Sequence, residues 1–464
     1  MSLRPGAALV LLVLAPSASS LGVVPSPSLP QPVWPQPATW SRGAISLDVV
    51  PSSVFFVAAK PSKLLTAAFE RYYALTFPHG QQDSGRTWPA QVTSLIVDVD
   101  DLSEDHPQVD TDEAYSLNVS DTGGAARANA RTVYGALRAL ESFSQLVRFE
   151  YASGRYELRG APWRIEDKPR FPHRGLMIDT GRHYLPLASI RAAVDSMAYV
   201  KLNVLHWHIV DIQSFPFQSK SSAKLWDGAF SAYERYTQAD VASVVEYARL
   251  RGVRVMVEFD MPGHADSWCV GYPEICPSLG CRTPLNVASE ETFDLIDSLL
   301  QELTGGRASK PGAAAGLFPD SFVHLGGDEV NTSCWSATPC IAEWMRAQNL
   351  TADGAYAHFC KRVAGMAIAQ GRRPVQWSEV FDHFRGTLPK ETIIHVWKNV
   401  TNVTEVVALG YDVIRNVGYN SKSWYLDNLD VQWGAVYQND PCEGIPSGRL
   451  CSRVLGGHGE MWGG

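Results

Sequence analysis

Two carboxyl residues stand side by side, Asp328 and Glu329, after an apolar run and two glycines in Val323-His-Leu-Gly-Gly-Asp-Glu-Val330. An apolar strand that breaks into glycines, which admit unusual backbone angles, presents both acids at one point in space. Adjacent carboxylates repel, so one of them can stay protonated with a raised pKa, the property a general acid needs. The competing explanation is that Asp328 caps the next helix while Glu329 is solvated. Other apolar runs also end in polar or aromatic side chains: Asp179 and Arg182, Asp211, Asp260 and His264, Trp377 and Glu379, Trp397, Trp424 and Tyr425, and Trp462. Acids interleaved with tryptophans suit a sugar, whose C–H faces pack on rings while its hydroxyls need polar partners.

These residues need a scaffold that brings strand ends together. Short apolar runs at 175–179, 202–208, 253–259, 321–325, 373–377, 392–396, 412–416 and 454–457 alternate with amphipathic stretches such as 187–200, 237–251, 291–303 and 355–370. That alternation is the α/β pattern of a (β/α)8 TIM barrel, whose chemistry sits at the C-terminal ends of the strands. Thr237-Gln-Ala-Asp240 has the form of a capping box. Upstream, a strand-like 94–99 and helical stretches 64–75 and 128–147 predict a small α+β domain. Gly160, Pro162, Pro169 and Pro172 place a linker near 162–172, because proline interrupts regular pairing. The expected organisation is a domain over 33–165 and a barrel over 169–464.

The chain has 464 residues, 45% of them hydrophobic, and a net charge of -8 with no Lys/Arg run. It is long enough for two domains, and its charge excludes nucleic acid as a partner. Residues 1–21 combine an early arginine, an apolar run at 7–15 and small residues, and read as a cleaved signal peptide. The run is shorter than the ~20 residues that span a bilayer, so no membrane span is expected. The eight cysteines all follow this segment and include no CxxC, which favours disulfides over zinc and leaves their connectivity open. Sequons at Asn118, Asn349, Asn399 and Asn402, with a fifth at Asn331, agree with a glycosylated chain in the secretory pathway, bound for a lysosome, a vacuole or the exterior.

Four segments carry a specific resemblance: His324-Leu-Gly-Gly-Asp-Glu-Val-Asn, Arg174-Gly-Leu-Met-Ile-Asp-Thr-Gly-Arg182-His-Tyr-Leu-Pro, His206-Trp-His-Ile-Val-Asp211 and Glu258-Phe-Asp-Met-Pro-Gly-His264. Together they closely resemble the β-N-acetylhexosaminidases of glycoside hydrolase family 20, in the plant-like eukaryotic form. The resemblance implies retaining hydrolysis of terminal β-linked N-acetylglucosamine or N-acetylgalactosamine, in which the 2-acetamido oxygen of the sugar is the nucleophile. By the same resemblance Glu329 is the acid and base, Asp328 holds the acetamido group, and Asp211 and His264 orient Glu329. Arg182 and Asp427 bind sugar hydroxyls, Trp377, Trp397 and Trp462 wall the acetamido pocket, and Tyr425 meets the acetamido oxygen. Cys281 and Cys334 resemble a family disulfide. The implied partner is an oligosaccharide or glycoconjugate, with no cofactor or metal, and a homodimer is compatible.

Two positions depart from the family pattern. Ile212 stands where a second acid often follows Asp211, and Gly464 stands where a substrate-binding Glu is expected, with Glu460 no obvious substitute. The sequence stops there, so the barrel is expected to lack its last helix. Two rivals follow: a sugar-binding homologue with impaired catalysis, and a metal-dependent amidohydrolase using His206-x-His208 with His264.

Overall fold

The computed structural model describes residues 33–79, 90–306, 316–416, 424, 426, 432–446 and 448–463. Residues 1–21, expected to be a signal peptide, lie outside the described residues, and so do Tyr425, Asp427 and Gly464.

The first sheet has seven strands: β1 (Thr39–Val49), β2 (Phe55–Ala58), β3 (Gln91–Asp101), β4 (Tyr115–Val119), β5 (Gly124–Thr132), β6 (Val147–Glu150) and β7 (Arg155–Asp167). Helices Lys63–Thr76 and Val133–Leu146 accompany it, and each begins with a side-chain cap: Ser62 accepts from Leu65 N–H and Thr132 from Gly135 N–H. Two expectations change here. The helix expected over 128–147 begins only at Val133, because Ala126, Ala128 and Ala130 alternate inward as part of β5. Alternation with paired neighbours outweighs the helix preference of alanine. The linker is also shorter than expected, since β7 continues through Pro162. The register of β1 against β7 shifts between Arg42 and Ile45, opposite this proline, and at such a bulge its missing N–H leaves no ladder bond unmade.

Eight parallel strands close the barrel: β8 (His173–Asp179), β9 (Val204–Val210), β10 (Arg254–Phe259), β11 (Phe322–His324), β12 (Arg373–Trp377), β13 (Ile393–Val396), β14 (Asp412–Arg415) and β15 (Val454–Met461). All eight expected strands are present, and β15 runs four residues further than expected. β9 and β10 are buried along their whole length, as strands covered on both faces must be. Helices Leu187–Tyr199, Gln238–Arg249, Glu290–Thr304 and Ala352–Ala369 supply outer apolar surface, and Thr237 with Asp240 forms both bonds of a capping box.

Inside the barrel, inward side chains stack in tiers. Val204, Met256, Phe322, Val375, Ile393 and Ile414 form an apolar floor. Above it, β9 turns His206 and His208 inward and β10 turns Glu258, and these meet His324, His395 and His458. Gly175 makes room for this tier: a Cβ there would sit 2.3 Å from His458 Nδ1.

Six of the eight cysteines pair, as Cys269–Cys276, Cys281–Cys334 and Cys442–Cys451. Cys340 is exposed and Cys360 buried, both as free thiols. The side chains of Asn118, Asn349, Asn399 and Asn402 are exposed.

Candidate active site

The segment after β11 carries the adjacent acids in a fixed pose. Gly326 has φ +64°, and a Cβ there would lie 1.7 Å from Asp260 Oδ1, so no other residue fits. Gly327 N–H donates to Asp260 Oδ1 at 3.0 Å, and the Tyr356 hydroxyl donates to the Gly327 carbonyl. Glu329 and His264 both hold left-handed backbone angles, φ 49° and 53°, a cost that persists only where surrounding contacts enforce it. The two acids differ in setting. Asp328 is buried, with Oδ1 lacking a hydrogen-bond partner among the described residues, whereas the Glu329 side chain is 55% exposed.

His264 joins them. Its Nδ1 lies 3.1 Å from Asp211 Oδ1, and its Nε2 faces both acids, 3.5 Å from Asp328 Oδ2 and 3.7 Å from Glu329 Oε2. Asp211 is completely buried, and its other oxygen receives His208 Nε2 at 2.7 Å and Arg182 Nη2 at 3.0 Å. Burial opposes charge on His264, but Asp260, Asp211 and Asp328 outweigh it and push its pKa up to about 10. Burial raises the Asp211 carboxyl, yet bonds from His208 and His264 prevail and hold it well below the usual carboxylate range. Asp260 moves the other way: burial first, then the Asp328 charge, push it well above that range.

Three indoles form a contiguous row, with Arg182 against one of them. Trp377 and Trp397 meet edge to face at 6.5 Å, Trp377 and Trp462 lie 5.9 Å apart, and Arg182 stacks 4.8 Å above Trp462. Each indole N–H points to a carboxylate: Trp377 to Glu258 Oε1 at 2.8 Å, Trp397 to Glu379 Oε2 at 2.8 Å, and Trp462 to Glu460 Oε2 at 3.3 Å. Arg182 is further anchored on Asp179 Oδ2 at 3.0 Å. Such anchoring fixes the rings in place, and buried Trp377 also stacks on His395 at 4.2 Å.

This geometry can be set beside known proteins. The catalytic-domain description of glycosyl hydrolase family 20 matches residues 171–462, and one described as beta-acetyl hexosaminidase like matches 33–146. The chain belongs to glycosyl hydrolase family 20. Beta-hexosaminidase 1 of Arabidopsis thaliana is 42% identical over 98% of this chain and 84% of that protein. Beta-hexosaminidase subunit beta of Sus scrofa is 34% identical over 93% of this chain and 82% of its own length. A chitobiase of Flavobacterium johnsoniae has a similar structure, with TM-score 0.77 and 27% identity, covering 93% of this chain and 65% of that one.

In this family 20 hydrolase, the structure brings together Asp328, Glu329, His264, Asp211, Arg182, Trp377, Trp397 and Trp462. The Cys281–Cys334 disulfide joins the loop after β10 to the segment following Glu329. The grouping of His206, His208 and His264 does not form. Instead His206 Nε2 and His208 Nδ1 converge on Glu258 Oε2 at 2.8 and 2.7 Å, and His264 turns to Asp211. Two sets of three groups among the described residues bring ligand-type atoms within 4.8 Å of one another: His206, Glu258 and His324, and Asp260, His264 and Asp328. In the first, His206 Nε2 and His324 Nδ1 lie 2.8 and 3.2 Å from the glutamate, and His324 Nδ1 accepts from Gly326 N–H at 3.1 Å. Sequence reasoning gave Glu258 no role, weighed His208 only as a metal ligand and set Glu460 aside as no obvious substitute. Histidines spaced two apart inside apolar strands were the available signal, because that spacing turns them to the same face.

Proposed function

We propose that this chain hydrolyses terminal, non-reducing β-linked N-acetylglucosamine and N-acetylgalactosamine residues, with retention, through the 2-acetamido group of its substrate. The carrying observation is His264 held between buried Asp211 and the adjacent pair Asp328 and Glu329, beside a wall of three anchored indoles. Exposed Glu329 gives its proton to the glycosidic oxygen as the bond from C1 breaks. The acetamido oxygen attacks C1 and closes a five-membered oxazolinium ring. Buried Asp328 accepts the acetamido N–H and balances the positive charge that develops. Glu329 then takes a proton from water, whose oxygen attacks C1, reopens the ring and leaves a β-configured sugar. An internal nucleophile has a high effective molarity, so the protein supplies orientation and charge and needs no carboxylate nucleophile of its own.

Arg182 binds the outer hydroxyls, while Trp377, Trp397 and Trp462 wall the acetamido group. Tyr425 and Asp427 complete the subsite on the family pattern. Natural substrates are glycans or glycoconjugates met in the secretory pathway, a lysosome, a vacuole or outside the cell. Exposed Asn118, Asn349, Asn399 and Asn402 carry N-glycans in this reading, and two copies assemble as a dimer.

A pair of substitutions tests the roles. Glu329→Gln lowers turnover of substrates with poor leaving groups by about 10²–10⁴-fold and recovers on leaving groups that need no proton. Asp328→Asn slows both kinds, because attack by the acetamido oxygen is impaired whatever departs. Steady-state kinetics across a leaving-group series decides it, and parental rates in both variants would overturn the assignment.

A further inference from the structure

Beneath the reacting groups lies a carboxylate with no place in that mechanism. Glu258 is completely buried near the C-terminal end of β10, and four ring nitrogens from three other strands surround it. Oε2 faces His208 Nδ1 at 2.7 Å and His206 Nε2 at 2.8 Å, both on β9. Oε1 receives Trp377 N–H from β12 at 2.8 Å and faces His324 Nδ1 of β11 at 3.2 Å. Two contact paths leave this centre. One runs through His208 to Asp211, and from Asp211 to His264 and the acids, with steps of 2.7, 3.1 and 3.5–3.7 Å. The other ends directly on Trp377, whose ring flanks both Trp397 and Trp462.

We propose that Glu258 is a positioning residue that sets both halves of the site at once, aiming the Asp211–His264 pair at the acids and fixing the indole wall on which the acetamido group closes. This rests on the roles given above to Glu329, Asp328 and His264. The chemistry of the contacts requires a carboxylate. His208 Nδ1 and Trp377 Nε1 each bond a different oxygen, while His324 Nδ1 accepts from Gly326 N–H, and only a group with two accepting oxygens meets both partners without turning a donor toward a donor. Burial opposes the charge, yet His324, His208 and His206 hold the Glu258 carboxyl well below its usual range, and Glu258 with Asp211 holds the His208 ring well above its own. The result is a line of alternating charge, carboxylate, imidazolium, carboxylate, imidazolium, that ends at the reacting acids. His395 and His458 lie one layer further along, through His324 and His206 respectively, and burial keeps both neutral.

Replacement of Glu258 by glutamine keeps volume and removes one accepting oxygen. Purified Glu258→Gln is compared with the parent for melting temperature, for kcat and KM on aryl N-acetylglucosaminides of graded leaving-group pKa, and for affinity toward a thiazoline mimic of the cyclic intermediate. The expected result is a fall in kcat of about 10–100-fold, steepest for the poorest leaving groups, together with a thiazoline affinity reduced about tenfold or more relative to the product sugar. A loss uniform across leaving groups with thiazoline affinity unchanged shows a merely structural residue and overturns the proposal, as does kcat within twofold of the parent. Should the glutamine variant not fold, two others divide the question. His208→Gln keeps a donor toward Asp211 but cuts the link to Glu258, and it reproduces only the leaving-group dependence. Trp377→Phe removes the indole N–H and reproduces only the thiazoline loss. If either variant lacks its half of the signature, that half is wrong. The parent reading is judged separately by Glu329→Gln: a crippled Glu329→Gln beside an untouched Glu258→Gln sinks this inference alone.

Discussion

In the first sheet, the faces turned inward carry Val97, Leu117, Ala128, Leu158 and Trp163, whereas the barrel strands turn His206, Glu258, His324, His395 and His458 inward above a single apolar floor. Both interiors are buried, so the difference lies in what each demands of its members. Apolar contacts are non-directional, and a Leu in the sheet tolerates small shifts of its neighbours. A buried histidine or carboxylate must be paired in a particular direction or it costs free energy outright. The barrel thus gives up adaptable apolar burial for a lattice of directed bonds that continues upward into Asp211, His264 and Trp377. The sheet stabilises the molecule, while the barrel interior both stabilises it and aims the site.

Truncation experiments break this comparison most directly. Phe143 is fully buried in the sheet's core, and Phe143→Ala is expected to cost about 3–5 kcal/mol in urea unfolding, with kcat of the folded fraction unchanged. In the barrel, His395 faces His324 at 3.2 Å and stacks on Trp377 at 4.2 Å. His395→Ala costs less stability, about 1–3 kcal/mol for the partner left unsatisfied, but it also frees the Trp377 ring and lowers kcat by about tenfold or more. Should the sheet substitution lower kcat as well, or the barrel substitution leave it unchanged, the two regions do not divide the work in this way.

The same contrast explains what could be read from the chain. The barrel strands were legible because each is a short, nearly continuous apolar run between turn residues. The pair Asp328 and Glu329 stood out because two glycines and two acids in succession have few structural uses. β15 was read too short, since Gly456-Gly-His-Gly-Glu has little intrinsic strand preference and is held by pairing with β8 at His173 to Ile178. Residues 128–132 were misread because alanine favours a helix when its neighbours are unknown. Glu258 could not be valued, because its partners arrive from β9, β11 and β12, far apart in sequence. Likewise, Glu460 looked like a poor substitute for a missing ligand, and only the folded strand shows it against the Trp462 indole.

A third expected effect is a dependence on pH that divides the interior histidines into two classes. His264 binds its proton more tightly folded than unfolded, its pKa moving from an ordinary value near 6.5 up to about 10. Its contribution is therefore complete below about pH 6.5 and is lost as pH rises toward 10, at no more than about 1.4 kcal/mol per pH unit for one proton. His208, also raised, acts in the same direction. His206 is the opposite case: burial, against the pull of Glu258, lowers it to about 4, so the folded state resists protonation and loses stability as pH falls from about 6.5 toward 4. His173, His395 and His458, lowered by burial and by one another or by neighbouring cations, add to that acid limb. Urea unfolding from pH 5 to 9.5 should accordingly show maximal stability near the ordinary histidine pKa, with losses on both sides. His264→Gln should flatten the alkaline limb and leave the acid limb intact. An alkaline limb as steep in His264→Gln as in the parent would mean that the charged ring between Asp211 and the two acids contributes nothing to holding the barrel mouth together.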